Sequence, residues 1–172
     1  MNSVERMITT VFWTGCSPVA PATVASALVC AILWFVPGAR SLWMILPLAA
    51  LTLVGVWLSN RFIDGYSVID PGKFAAVRRK NPKKDDPDPV VFDELVGQWI
   101  ALLAAPHTLV GFAAAFFLFR FFDIFKVLGA NQLQKLPRGW GVMLDDVAAG
   151  IWAAIVLAVI VKWFPGLVGV AA

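Results

Sequence analysis

The sequence is poor in the side chains that many hydrolases use as nucleophile or base. It has one histidine, two cysteines and one tyrosine in 172 residues. A histidine-based phosphatase is not expected, because the sole histidine, His107, falls in a predicted turn away from the polar motifs described below. A cysteine phosphatase needs an arginine six positions after the cysteine, where this chain has Ala22 and Val36. Two cysteines also provide no disulfide framework.

Charge is equally scarce. Only 15% of the residues are charged and 60% are hydrophobic, whereas a soluble domain has about 25% charged residues. Too little polar surface exists to cover a water-soluble globule, so the composition predicts an integral membrane protein. The length predicts one membrane domain, residues 1–172. No signal peptide is expected in Met1–Trp13, and no nucleic acid is expected as a partner.

Five apolar stretches of helical length are present, and none alternates strictly as a strand does. A membrane-spanning helix needs roughly 20 residues. The pattern therefore predicts an all-α, polytopic membrane helical bundle with about four to five membrane helices. The third and fourth stretches form a predicted central helical hairpin that turns at residues 106–108. The stretches are residues 22–36, 42–60, 90–105, 109–122 and 147–163.

The basic residues predict the topology. Seven Lys and Arg residues lie between residues 61 and 92, and four lie between residues 120 and 138. By the positive-inside rule both segments are cytoplasmic. Residues 61–92 are thus a predicted cytoplasmic polar loop, and the central hairpin crosses the membrane twice.

Three polar motifs lie at the predicted cytoplasmic ends of apolar stretches. Five carboxylates meeting there would repel one another strongly in a low dielectric, and would protonate or gather a cation. Oxygen ligands favour a hard ion, Mg²⁺ first, and basic side chains add donors for phosphate. This equipment is typical of metal-assisted hydrolysis of a phosphate ester. The motifs are Asp93-Glu94-x-x-Gly97, Arg120-x-x-Asp123-x-x-Lys126 and Gly141-x-x-x-Asp145-Asp146-x-x-x-Gly150.

Each motif also has a purely structural interpretation. Asp145 and Asp146 would cap the last helix, Arg120 and Asp123 would form a structural ion pair, and the first motif would be an interfacial cap. At the level of function, a small cation or proton transporter with a carboxylate ion site is the alternative. A non-catalytic lipid-binding membrane protein is a third interpretation.

A further polar stretch, residues 15–26, precedes the first apolar stretch. Its prolines, Ser and Thr are typical of a loop followed by a helix start. The hydroxyls of Thr23 and Ser26 and the backbone N–H groups there are also candidates for holding phosphate.

Four segments together resemble the phosphatidylglycerophosphatase A family, bacterial membrane lipid phosphatases, over about residues 15–164. The resemblance implies Mg²⁺-dependent hydrolysis of phosphatidylglycerophosphate to phosphatidylglycerol and inorganic phosphate, a step of phospholipid biosynthesis. It also implies a multi-pass protein of the bacterial inner membrane with the site facing the cytoplasm. The segments are GCSPVAPATVAS (15–26), DPDPVVFDELVGQWIAL (86–102), FRFFDIFK (119–126) and GWGVMLDDVAAG (139–150).

Carried onto this chain, the motifs supply the predicted site. The predicted metal ligands and catalytic carboxylates are Asp93, Glu94, Asp123, Asp145 and Asp146. The predicted substrate-binding residues are Arg120, Lys126, Thr23 and Ser26. The chain departs from the family's Pro-Gly-Thr-x-Gly-Ser pattern, because alanines stand at both glycine positions. The sequence leaves open the number of metal ions, the identity of the base and the oligomeric state.

Overall fold

The computed structural model describes residues 3–16, 20–69, 90–126, 129–170 of the chain. All secondary structure in these ranges is helical, as the sequence predicts. The α-helices are α1 (Ser3–Thr9), α2 (Pro21–Phe35), α3 (Ile45–Ile69), α4 (Phe92–Leu102), α5 (Leu109–Phe125), α6 (Ala130–Leu133) and α7 (Gly139–Trp163). Single 3-10 turns lie at Thr14–Cys16, Pro37–Arg40, Leu42–Met44 and Pro165–Val168.

The described ranges contain fewer candidate membrane helices than the four to five predicted. Within the described ranges, two segments are long and apolar enough to cross a membrane, Leu42–Gly65 and Gly139–Trp163. Helix α4 has 11 residues and rises about 16 Å, roughly half of a hydrocarbon core. Helices α2 and α5 have 15 and 17 residues. Helix α4 also covers only Phe92–Leu102 of the third apolar stretch, residues 90–105.

Two helix boundaries also differ from expectation. Helix α7 begins at Gly139 rather than near residue 147. Asp145 and Asp146 therefore lie in its second turn, and the interpretation of these residues as an N-terminal cap is wrong. Helix α3 continues to Ile69, so residues 61–69 of the predicted polar loop are helical, and residues 70–89 of that loop lie outside the described residues.

Helix α7 is the central element and packs against α3, α4 and α5. Its contact with α4 is a glycine crossing. A Cβ atom built on Gly150 would lie 2.3 Å from the carbonyl oxygen of Gly97, and one built on Gly97 would lie 2.7 Å from the carbonyl oxygen of Asp146. Glycine at both positions lets the two backbones approach each other. The crossing sets the distance between the acidic residues of the two helices.

The bundle has two chemically different ends. The first turn of α4, the last turn of α5 and the second turn of α7 meet at one end, where α1 also attaches through a hydrogen bond from the Val91 N–H to the Thr9 carbonyl (3.2 Å). The turn between α4 and α5 lies at the other end. There Trp99 donates to the Ala39 carbonyl and Arg40 to the Ala105 carbonyl, both at 2.7 Å. The structure confirms the hairpin formed by α4 and α5.

His107 lies in this far turn, exposed, with its Nε2 3.0 Å from the Trp34 carbonyl oxygen. Its ring also packs against the Trp34 ring, with centroids 4.5 Å apart. These contacts give His107 a structural place at the end opposite the acidic residues, as the sequence predicts.

Thr108 fixes the same end of the bundle and provides a test of it. Its Oγ1 accepts a hydrogen bond from the Gly111 N–H (3.0 Å) and donates to the Val168 carbonyl. Thr108→Val removes both bonds at nearly constant shape, so we expect a loss of about 1 kcal/mol and a Tm lower by about 2–4 °C. Thr108→Ser retains the hydroxyl and should melt like the wild type. A Thr108→Ser variant that melts as early as Thr108→Val would contradict this assignment.

Candidate functional site

The polar cluster at the near end of the bundle contains all three sequence motifs. Asp93 and Glu94 lie in the first turn of α4, Asp123 in the last turn of α5, and Asp145 and Asp146 in α7. Except for the half-buried Glu94, these carboxylates are at most 9% exposed. We call this set, together with Arg120 and Lys126, the acid cluster.

Lys126 connects three of the carboxylates. Its Nζ lies 2.6 Å from Asp123 Oδ1, 2.9 Å from Asp145 Oδ2 and 3.1 Å from Asp146 Oδ1. One ammonium group thus offsets part of the repulsion among three buried anions. The distances from Nζ to the three carboxylate oxygens are in the range of charge-assisted hydrogen bonds.

The backbone of Lys126 explains how its side chain reaches this position. Lys126 is the C-cap of α5 and has φ of 48° and ψ of 41°, in the left-handed region. A non-glycine residue there is strained. Because Lys126 has left the helix, its side chain does not follow the helical spacing that the sequence motif suggests. The ion pairs to α5 and α7 hold it in this conformation.

Arg120 belongs to the same cluster through Asp123. Its Nη1 lies 2.9 Å from Asp123 Oδ2, the ion pair expected from the i, i+3 spacing. Its Nε is buried and has no hydrogen-bond acceptor in the part of the chain that the structure describes. Arg120 therefore combines a structural pair with a buried donor that an anion would satisfy.

A second subset of the acid cluster has the geometry of a cation site. One carboxylate oxygen each of Asp93, Glu94 and Asp146 lie within 4.8 Å of one another. Three oxygen ligands from two helices suit a hard divalent ion, and Mg²⁺ in proteins commonly keeps further positions for water and phosphate. The donor set therefore fits Mg²⁺. Lys126 pairs with Asp123 and Asp145 outside this subset and with Asp146 inside it.

The residues predicted from the stretch 15–26 are not part of this network. Thr23 is half-buried and Ser26 is fully buried on α2. Neither forms a hydrogen bond with the described side chains of the acid cluster. Ala25, at one of the two altered glycine positions, is also fully buried and packs in the core.

Sequence reasoning passed over one polar residue near the site, Gln98. It is fully buried on α4, one turn after Glu94. The available signal was a single amide inside the apolar stretch 95–105, where a polar side chain without function is costly.

Fold and site together define a class: an all-helical protein that brings five carboxylates and two basic side chains together at one end of its bundle. The profile of the family described as Phosphatidylglycerophosphatase A matches residues 7–76 and 74–161. The chain belongs to the phosphatidylglycerophosphatase A family, and it is an enzyme, a phosphatase.

Individual relatives agree with this assignment. A protein of Bacteroides thetaiotaomicron named "Putative phosphatidylinositol-3-phosphatase" is 39% identical over 163 residues, which cover 93% of this chain and 94% of the relative. Phosphatidylglycerophosphatase A of Haemophilus influenzae is 46% identical over 76 residues, 43% of this chain and 47% of the relative. Phosphatidylglycerophosphatase A of Escherichia coli is 27% identical over 169 residues, 96% of this chain and 88% of the relative. No solved structure matches the chain significantly.

Proposed function

We propose that this protein hydrolyses the terminal phosphate monoester of phosphatidylglycerophosphate in a Mg²⁺-dependent reaction, leaving phosphatidylglycerol and inorganic phosphate. The family assignment supports the reaction class. The observation that carries the metal dependence is the convergence of carboxylate oxygens from Asp93, Glu94 and Asp146 within 4.8 Å.

In this proposal the residues of the acid cluster have different roles in binding the cation and the phosphate. Asp93, Glu94 and Asp146 hold the cation, and Mg²⁺ bound there would polarise the phosphoryl group and acidify a water molecule. Arg120 offers its buried Nε to a phosphate oxygen. Lys126, held by Asp123, Asp145 and Asp146, places a positive charge beside the phosphoryl group while water attacks phosphorus and the lipid's alcohol oxygen leaves.

The transporter alternative is less well supported by the geometry. A carboxylate ion pathway is expected near the middle of a membrane, whereas the acid cluster lies in terminal turns of α4 and α5 and in the second turn of α7. The donors Arg120 and Lys126 also favour an anionic ligand over passage of a cation.

The protein's surface supports a membrane location. Large apolar side chains are openly exposed, including Trp43 (86%), Phe35 (82%) and Leu46 (77%). Exposed apolar surface of this kind marks contact with lipid or protein. The acid cluster lies at the end of the bundle where α3 leads into the basic segment. By the positive-inside rule this end faces the cytoplasm, in the bacterial inner membrane.

The headgroup is the finer part of the proposal. The name of the Bacteroides relative introduces phosphatidylinositol 3-phosphate as a second candidate substrate. Both lipids carry a phosphate monoester on a hydroxylated headgroup, so the acid cluster would perform the same chemistry on either.

Phosphate release by the purified full-length protein in detergent micelles tests the proposal. We expect release from phosphatidylglycerophosphate with Mg²⁺ and none after chelation, with activity restored when Mg²⁺ is added back. Parallel reactions with phosphatidylinositol 3-phosphate and phosphatidic acid measure headgroup preference as ratios of kcat/KM. Absence of release from all three lipids with any divalent metal would overturn the proposed function.

A further inference from the structure

Gln98 is a fully buried amide that the proposed reaction does not use. Neither its Oε1 nor its Nε2 has a hydrogen-bond partner in the described part of the chain. Leaving a buried donor or acceptor unsatisfied costs about 1–3 kcal/mol for each group. A side chain that bears this cost twice in the interior is a candidate for binding something outside the chain's own atoms.

Ser26 on α2 has the same property. It is fully buried, and its Oγ lacks a hydrogen-bond partner among the described residues. A serine hydroxyl in a helix commonly bonds the carbonyl one turn earlier, yet this hydroxyl does not. Two helices thus each contribute one buried, uncharged polar group whose hydrogen-bonding capacity is unused.

Helices α2 and α4 run side by side in the same direction. Ala25 shares a buried cluster with Val96, and Leu33, two turns further along α2, shares the next cluster with Leu102. Ser26, which directly follows Ala25, therefore lies at about the depth of Gln98.

Gln98 and Ser26 also lie on the faces of α4 and α2 that are turned toward the same part of the core. Gln98 and Leu102 are four residues apart on one face of α4, and Ser26 and Leu33 are seven residues apart on one face of α2. Since Leu33 and Leu102 pack together with Phe112, both polar side chains face the same interior, nearer to the acid cluster than this apolar layer.

The distance to the acid cluster is short. Gln98 follows Glu94 by four residues on the same helix face, which is a rise of about 6 Å. The two neutral groups therefore lie about one helical turn deeper in the bundle than Glu94, which holds the cation in the proposed function. In a lipid phosphate monoester, the part of the headgroup that follows the terminal phosphate, on the way to the acyl chains, is its hydroxylated polyol.

We propose that Gln98 and Ser26 form a subsite for the polyol part of the headgroup and determine which phosphate monoesters the enzyme accepts. An amide and a hydroxyl each donate and accept hydrogen bonds, which matches alcohol groups. The positive charge that an anion prefers is instead supplied by Arg120 and Lys126. This inference rests on the proposed function, because it assigns the headgroup position relative to the phosphate.

The test compares Gln98→Met and Ser26→Ala with the exposed control Gln132→Met. A site that hydrogen-bonds a substrate hydroxyl discriminates strongly against ligands that lack it. We expect kcat/KM for phosphatidylglycerophosphate to fall by about 10- to 100-fold in Gln98→Met, and by less in Ser26→Ala. The inhibition constant of glycerol 3-phosphate should rise by a similar factor, while that of inorganic phosphate stays unchanged. Inositol 3-phosphate in the same assay shows which polyol the subsite prefers.

Thermal stability separates binding from structural support. Because the amide of Gln98 is unpartnered, Gln98→Met should keep or raise Tm, whereas a structural glutamine would lower it when replaced. Inhibition constants for glycerol 3-phosphate and inorganic phosphate that rise together, or that both stay unchanged, would overturn the subsite. If the wild type hydrolyses no lipid, calorimetric binding of these same two ligands still tests the subsite separately from the proposed function.

Discussion

Replacing Asp93 or Asp146 by asparagine is expected to reduce phosphate release by at least about 100-fold, because each change removes one of three clustered oxygen ligands. The amide keeps the shape of the side chain, and both positions are at most 2% exposed in a cluster where five carboxylates outnumber two basic side chains. Loss of one buried negative charge should therefore leave the fold intact. The measurement is Mg²⁺-dependent phosphate release by purified variants.

Thermal melting with and without Mg²⁺ checks the cause of that loss. Binding of an ion to the folded state raises Tm, so the wild type should show a Mg²⁺-dependent increase that Asp93→Asn and Asp146→Asn lack. Asp64→Asn is the matched control, since Asp64 is 68% exposed and pairs with Arg138 away from the acid cluster. Wild-type turnover together with a wild-type Mg²⁺ effect in Asp93→Asn would refute the assigned ligand role.

The second large loss of activity is expected from a substitution at the glycine crossing of α4 and α7. Alanine at position 150 would bring its Cβ to 2.3 Å from the carbonyl oxygen of Gly97, and a backbone atom cannot move aside as a side chain can. The helices must separate, which moves Asp93 and Glu94 away from Asp146. A displacement of about 1 Å at a reacting centre can cost about 100-fold in rate, and we expect a loss of this order in Gly150→Ala.

The controls for this change are Gly38→Ala and Gly166→Ala. Neither added methyl group meets an atom within 4 Å, so turnover and Tm should stay at wild-type values. Gly97→Ala should behave like Gly150→Ala, since its Cβ would meet Phe119 at 2.5 Å and the Asp146 carbonyl oxygen at 2.7 Å. Full turnover in Gly150→Ala would show that the helix spacing does not set the geometry of the acid cluster.

The sequence predicted which elements exist better than where they end. Apolar composition identified α2, α3, α4, α5 and α7, because burial and lipid contact both require long apolar stretches. Hydropathy gave no reason to extend α7 back to Gly139, since the polar residues at 145 and 146 interrupt the apolar stretch. In the structure those residues are buried on the inner face of a helix that continues past them.

For the site, the membership of the acid cluster was predictable and its pairing was not. Each motif lies near a helix end, and charge placement put those ends on one side, so convergence followed from topology. The structure confirms that the three motifs meet; the catalytic and metal-binding roles of their residues remain predictions. The three ion pairs of Lys126 depend on a left-handed backbone conformation at this residue. A lysine in the sequence does not predict that conformation. The sequence also could not show that the amide of Gln98 is buried without a hydrogen-bond partner among the described residues, because this depends on its neighbours in the fold.

The acid cluster draws its carboxylates from α4, α5 and α7, with Asp93 and Asp146 at its sequence extremes. A chain synthesised only as far as residue 138 contains three of these five acidic residues and lacks Asp145 and Asp146. Under the proposed function, hydrolytic activity therefore arises late in biosynthesis, when α7 packs against α4. Until then the emerging polypeptide has no assembled acid cluster.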